Sequence, residues 1–251
     1  MLVEKIVILI FFGVFVSGID AIPFLSQCMG QKVFNPHKIW SRFNATDVNG
    51  KESVEYQIRN IPKTRFEEVL SLVKPFLEDE QQSKIKGITE KRIQMHRKRW
   101  MIILRDNLSV ACFDNSDKMV GVVLLYIGKK PGSKSKRGSP SRISEMGYFD
   151  IFEYYGVDEY LANDGLVVLP EYRRRGIAKQ LIMTFPNICK ENELEVLASV
   201  VSSDSINNMA NEFEQSGYEI QDHAIENFSN EPPMTFRAIS FGNRTAESPT
   251  L

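Results

Sequence analysis

The chain has little with which to build a disulfide framework or a metal centre. Its three cysteines, Cys28, Cys112 and Cys189, are odd in number and widely spaced along 251 residues. Cys112 falls in a strand-like apolar run, which suits a buried free thiol better than a bridge. The histidines, His37, His96 and His223, are scattered and share no ligand spacing with those cysteines, so no metal site is read. Charge of one sign is missing too. With 31 Lys and Arg against 32 Asp and Glu, the net charge is −1 at pH 7, which excludes a strong global pull toward nucleic acid. What is present is 43% hydrophobic and 25% charged, enough at this length for one enzyme-sized core with extensions.

The amino terminus reads differently from the rest. A charged start is followed by the apolar run Ile6–Val16 and then by Ser17-Gly18-Ile19-Asp20-Ala21, whose small residues suit cleavage. Residues 1–21 therefore resemble a secretory signal peptide. The charge-free stretch Ile6–Ile19 is shorter than the ~20 residues that span a bilayer as a helix, so removal fits better than anchoring and no stable membrane span is expected. Sequons at Asn44, Asn107, Asn227 and Asn243 are compatible with that route but form by chance as well. Residues 22–52, with Pro23, Gly30, Pro36 and Gly50 and no sustained period, read as a poorly ordered linker. The domain is placed at 53–242, with a tail at 243–251.

Within the domain the period switches between two and 3.6. Val54–Ile58, Leu108–Phe113, Met119–Ile127, Gly165–Leu169, Leu194–Val201, Tyr218–Ile220 and Met234–Phe241 read as strands. Thr64 and Glu67 have capping-box spacing before a helix with the stripe Phe66, Val69, Leu70, Val73, which Pro75 should bend or end. A second helix runs from about Thr89 to Leu104, its basic Lys91–Arg99 stretch read as a solvated face. Lys129–Arg142, basic and without acids, reads as a mobile loop with no aromatics for base stacking. A short aromatic helix, Glu145–Tyr155, comes next. Its Tyr148, Phe149, Phe152, Tyr154 and Tyr155 suit a core stripe better than a pocket wall. The helix after residue 176 should kink at Pro186, and another should cover Asn207–Ser216 and stop at Gly217.

The sharpest feature is Leu166-Val167-Val168-Leu169-Pro170-Glu171-Tyr172-Arg173-Arg174-Arg175-Gly176-Ile177-Ala178-Lys179. It reads as a strand that breaks at Pro170 and feeds a helix. In such a turn the backbone N–H groups of Arg175, Gly176, Ile177 and Ala178 lack carbonyl partners and face a positive helix end, where a phosphate is favoured. Gly176 and Ala178 are small, so a diphosphate can approach the backbone. The plainer reading is that Gly176 only relaxes a strand-to-helix turn.

This stretch resembles the cofactor motif of the GNAT superfamily of acetyl-CoA-dependent N-acetyltransferases. The pattern of Gln or Arg, two residues, Gly, one residue, then Gly or Ala is met by Arg173, Gly176 and Ala178. The resemblance implies an α/β fold with a central mixed sheet and helices on both faces, spanning about Ser53 to Phe241. It implies acetyl-CoA as the acetyl donor, held by Leu166, Val167, Val168 and by Arg173, Arg174, Arg175, Gly176, Ile177, Ala178 and Lys179. A closer resemblance lies upstream. Phe76-Leu77-Glu78-Asp79-Glu80 is similar to the Phe-x-x-Asp-Glu-Pro segment of insect arylalkylamine N-acetyltransferases, although Gln81-Gln82 replaces the usual Pro-Leu. This implies Glu80 as general base and a small-molecule amine as acceptor.

The chemistry needs such a base. An alkylamine with a pKa near ~10 is almost wholly protonated at neutral pH, and exposing its lone pair costs about 4 kcal/mol. The position at which many relatives place a proton-donating tyrosine is Phe213 here. Of the two serines of the insect enzymes, Ser205 matches the first and Met209 stands at the second, so Ser205 is the candidate acid, or else a helix N-cap. Other acceptors remain open: polyamines, amino acids or protein amino termini, as does a non-catalytic secreted relative. The compartment is open as well, because acetyl-CoA is kept mainly inside cells while residues 1–21 point to secretion; a mis-joined first exon is the alternative. Oligomeric state is not legible.

Overall fold

The computed structural model describes residues 34–83, 90–134, 138–140, 150–201, 213–225 and 234–241. The signal-like segment 1–21, Cys28, Tyr148, Phe149, Ser205, Met209 and the tail lie outside them, as do most of the 207–216 helix and part of the Lys129–Arg142 loop.

The chain forms one mixed sheet. Strands β1 (Ile39–Thr46), β2 (Ser53–Asn60), β3 (Val110–Phe113), β4 (Met119–Lys129), β6 (Glu159–Val168), β7 (Val196–Val201), β9 (Met234–Ser240) and β8 (Glu219–Ile225) lie in that order, and the two-residue β5 (Ser139–Pro140) pairs with the end of β4. Among the described residues, only β6 with β7 and β4 with β5 are parallel. Helices α1 (Phe66–Ser83), α2 (Glu90–Arg105) and α3 (Ile151–Tyr155) supply one hydrophobic layer, and α4 (Ile177–Ile182) and α5 (Phe185–Asn192) the other.

The period-two pattern of β4 explains why both layers exist. Met119, Val122, Leu124 and Tyr126 join the α1–α2 layer, while Val120, Val123, Leu125 and Ile127 join the α4–α5 layer. A strand covered on both sides reads as a continuous apolar run rather than an alternating one, and β4 is buried from Met119 to Gly128. On α1, Phe66, Val69, Leu70 and Val73 are 6%, 0%, 2% and 3% exposed. Each such burial stabilises by about 1.5–3 kcal/mol.

Several expectations need correction. The stretch read as linker contains β1, which pairs with β2 from Ile39↔Arg59 to Thr46↔Ser53 and packs Trp40, Phe43 and Ala45 on the core. Its mixed composition hid a strand with one half-buried face. Pro75 does not end α1, which runs on to Ser83. Pro75 and Ser71 are exposed, so water can solvate the carbonyl that proline leaves without a donor. The Phe76–Glu80 segment consequently lies within the first helix and not past it. Thr64 and Glu67 form no capping box: Lys63–Arg65 is a 3-10 turn, and Glu67 pairs with Arg97 of α2. The helix over Pro186 is fully interrupted. Pro186 has no N–H for the Ile182 carbonyl, and α4 stops at Ile182 before α5 begins at Phe185.

Other readings match. Asp150 caps α3 by accepting from the amides of Phe152 and Glu153, and Phe152 and Tyr155 are core residues at 2% and 5% exposure. Tyr154 is exposed, its hydroxyl on Gln221. Cys112 and Cys189 are buried free thiols. Desolvation pushes Cys112 up to about 12 and Cys189 also upward, so both stay protonated and unreactive at neutral pH.

Candidate functional site

The site begins where β6 leaves its neighbour. β6 pairs with β7 at Leu161↔Leu197 and Ala162↔Ala198, and no later pair joins them among the described residues. β7 nevertheless continues along β9 to Val201↔Thr235, and β6 continues along β4 to Val168↔Gly121. Two parallel strands thus diverge from residue 163 onward. One edge of β6 is left without a ladder partner over the run Leu166–Val168.

A bulge marks the point of divergence. Leu124 faces Gly165 and Leu125 faces Asn163, which leaves Asp164 as the extra residue. The insertion inverts the alternation: Leu161 and Leu166, five positions apart, share the α4–α5 layer, while Ala162 and Val167 share the α1–α2 layer. The polar side chains at the bulge are buried and satisfied. Asn163 accepts from the Gly165 amide at 2.9 Å. Asp164, 4% exposed, receives Arg99 Nε on both oxygens at 2.9 Å, Arg99 Nη2, and Trp100 Nε1 at 3.1 Å. Arg99 lies over the Tyr126 ring, 5.0 Å from its centroid. Burial opposes its charge, but Asp164 more than compensates and holds the guanidinium pKa above its ordinary value. Arg99 is therefore no part of a solvated face, contrary to the reading of the basic stretch on α2.

Beyond β6 the chain makes the turn that the sequence singled out. Leu169 N–H donates to Val120 O at 2.9 Å, and a 3-10 turn, Pro170–Tyr172, follows. Arg174 (φ 61°) and Gly176 (φ 75°) have left-handed backbone, and Arg175 between them does not. Alternating φ of this kind turns successive N–H groups toward one side and makes an anion-binding concavity. The amides of Arg175, Gly176, Ile177 and Ala178 meet no protein carbonyl among the described residues. A Cβ built on Gly176 would meet nothing within 4 Å, so the space above the turn is open.

The side chains around this turn divide into two groups. Leu166, Val167 and Ile177 point into the core at 7%, 4% and 2% exposure, leaving their backbones as the contribution they can make to a ligand. Ile177 seats α4 on the sheet against Gly121. The side chains of two of the three arginines implied to hold acetyl-CoA are engaged by the protein's own carbonyls. Arg173 Nε donates back to Val168 O at 3.2 Å, and Arg175 donates to main-chain oxygens of its own loop and of the β1–β2 turn. Arg174 and Lys179 are exposed, and Val168 and Ala178 are half-buried. Tyr172 is buried, donating its hydroxyl to Asp114 at 3.0 Å.

The catalytic candidates are less completely placed. Glu80 falls in the last turn of α1, but its side chain lies outside the described residues, and so does all of Ser205. Phe213 is core: 1% exposed, it packs on Tyr218 and Phe241. Sequence reasoning missed Asn163, Asp164, Arg99 and Gly121. The signal for the first two was available, since Asn-Asp-Gly inside an apolar strand run indicates a bulge.

The profile of the acetyltransferase (GNAT) family matches residues 69–218. The chain belongs to that family. As a GNAT acetyltransferase it shares its fold with solved structures. Arylalkylamine N-acetyltransferase 7 of the yellow fever mosquito Aedes aegypti aligns with a TM-score of 0.67 and 22% identity over 86% of this chain and 100% of that one. Arylalkylamine N-acetyltransferase 2 of the same mosquito gives 0.54 and 12% over 74% and 99%. The polyamine N-acetyltransferase of Drosophila melanogaster, which forms N-acetylagmatine, gives 0.54 and 10% over 73% and 98%. No curated protein sequence matches the chain. Among the described residues no cluster of His, Cys, Asp or Glu could hold a metal ion, and no helix is long and apolar enough to cross a membrane.

Proposed function

We propose that this GNAT acetyltransferase transfers the acetyl group of acetyl-CoA to a primary arylalkylamine by direct attack of the amine on the thioester. The observation that carries the reading is the turn Arg173–Ala178, with its alternating φ and its amides of Arg175 to Ala178 free of carbonyl partners among the described residues, at the end of a strand that parts from its neighbour.

In this reading the four amides hold the diphosphate, and Arg174 and Lys179 add charge at the exposed rim. The unladdered edge of β6 at Leu166–Val168 receives the pantetheine arm through backbone groups, which also polarise the thioester carbonyl. Glu80 takes the proton from the incoming ammonium, directly or through a water. As the tetrahedral adduct collapses and the C–S bond breaks, its nitrogen loses a second proton, which Ser205 relays by giving its own proton to the leaving thiolate and recovering that one; the proton on Glu80 passes to solvent. No protein nucleophile is required, because the freed amine is nucleophile enough once the thioester is held in line with it.

Arylalkylamines are favoured over other acceptors by the Phe76–Glu80 resemblance and by the names of the two mosquito relatives. The Drosophila relative makes agmatine and polyamines the class to test against them. A thiol-release assay with acetyl-CoA over a panel of arylalkylamines, agmatine and polyamines decides. Higher kcat/KM for the aromatic amines supports the proposal. Preference for agmatine or polyamines overturns the acceptor class, and absence of turnover with every amine overturns the enzyme.

A further inference from the structure

One side chain joins the donor loop to a segment that precedes the family match. Arg175 Nε donates to Thr46 O at 2.9 Å and Asp47 O at 3.1 Å, and Nη2 donates to Asp47 O at 2.9 Å. Nη1 donates to Glu171 O at 2.6 Å and Arg173 O at 3.0 Å. Every acceptor is a neutral main-chain oxygen, and no carboxylate pairs with Arg175 among the described residues. A guanidinium that serves a phosphate turns its donors outward. This one has all three nitrogens engaged by carbonyls.

The acceptor end is itself a closed structure. Asp47 Oδ1 accepts from the amides of Lys51 at 2.8 Å and Glu52 at 3.3 Å, Asp47 N–H donates to Glu52 O at 2.7 Å, and Gly50 N–H donates to Asp47 O at 3.1 Å. The β1–β2 turn is thereby held by hydrogen bonds of its own besides those from Arg175. At the other end stands Arg174, a non-glycine residue at φ 61°, a backbone state that persists only where neighbours over-determine it. The planar fork of arginine reaches carbonyls on two sides at once, here Thr46 and Asp47 through Nε and Nη2 and Glu171 and Arg173 through Nη1, a span that the compact point ammonium of a lysine does not cover.

We infer that the Arg175 side chain is a positioning group of the donor site, bracing the Arg174–Gly176 turn against the Thr46 and Asp47 carbonyls, and that its guanidinium, unlike its main-chain amide, is not a phosphate ligand. This rests on the donor-site reading given above. It makes the β1–β2 hairpin, outside the matched residues 69–218, part of the apparatus that binds acetyl-CoA.

The test uses the full chain and coenzyme A itself, with calorimetric Kd and steady-state KM and kcat for Arg175→Lys, Arg175→Ala, Asp47→Ala and Gly176→Glu. Losing the brace should weaken coenzyme A about tenfold in both Arg175 variants and raise the KM of acetyl-CoA alike, with kcat and amine KM within about twofold. Asp47→Ala, which keeps the acceptor carbonyls but loosens their turn, should shift the same KM in the same direction, and adding it to Arg175→Ala should cost little more. Wild-type binding by Arg175→Lys overturns the inference, because charge and not the fork is then what matters. If circular dichroism shows the Arg175 variants unfolded, Asp47→Ala decides: a selective rise in the KM of acetyl-CoA supports the brace and an unchanged KM overturns it. Gly176→Glu separates the two levels. Wild-type coenzyme A affinity there would sink the donor-site reading itself, whereas loss there with full affinity in Arg175→Lys would sink only the brace.

Discussion

Gly121 on β4 lies beneath Ile177, the first residue of α4: a Cβ at 121 would come within 3.1 Å of Ile177 Cγ2, 3.2 Å of Val167 O and 3.3 Å of Val168 Cγ2. The helix that carries two of the four proposed donor amides, those of Ile177 and Ala178, rests on a missing side chain. Sheet, strand edge and helix start meet at this one point.

Gly121→Ala should therefore strain the seat without abolishing the fold, costing about 1–3 kcal/mol as overpacking does. Gly121→Val should cost more and lift α4, raising the KM of acetyl-CoA. Denaturant melts paired with initial-rate kinetics check both, and a valine variant with wild-type stability and KM would contradict the packing described.

The pair of Arg99 and Asp164 behaves as a buried ion pair, with side chains 17% and 4% exposed. Removing one partner strands the other charge. Asp164→Ala should destabilise the protein by about 3–5 kcal/mol, and replacing both together with Leu at 164 and Met at 99 should cost less than the sum of the single changes. Chemical denaturation of the two single variants and the double variant measures the coupling.

Asp114 gives the fold an acid sensitivity. Burial alone would raise its pKa, but hydrogen bonds from Ser116, Lys118 and Tyr172 outweigh that and hold the carboxyl below its ordinary value. A depressed folded-state pKa contributes stability that is present above the unfolded value of about 3.9 and is lost as pH falls through the folded value. The melting temperature should thus drop below about pH 4, less steeply in Asp114→Asn than in wild type. Thermal melts across that range read it directly.

Much of the fold was legible because most strands and helices announce themselves by period. β4 reads as an apolar run since it is covered on both faces, and the Pro170–Ala178 turn reads through proline, glycine and small residues. What stayed hidden was tertiary in origin. β1 half-buries one face only and borrows its order from β2. Pro75 is tolerated because its side of α1 is wet, and Arg99 looks like its solvated neighbours until Asp164 is placed opposite it. The carbonyls that Arg175 seeks lie on a turn far earlier in the chain. Glu80 and Ser205 were named by resemblance, a source that gives residue identity but no geometry.

Glu80→Gln should fold and bind coenzyme A as wild type while kcat falls by about 10²–10⁴-fold at neutral pH, the usual contribution of a positioned base. Raising the pH toward the pKa of the amine should recover part of the loss, since the substrate then arrives deprotonated. An unchanged rate at neutral pH removes Glu80 from the mechanism.

The central claim is that the main-chain amides of Arg175 to Ala178 bind the diphosphate of the acetyl donor. Titrating coenzyme A into uniformly 15N-labelled protein and following every backbone amide by NMR tests this most directly. The account predicts that the largest shift changes fall on Arg175, Gly176, Ile177 and Ala178, and that they vanish in Gly176→Glu. Saturable binding that leaves those four resonances in place would contradict it.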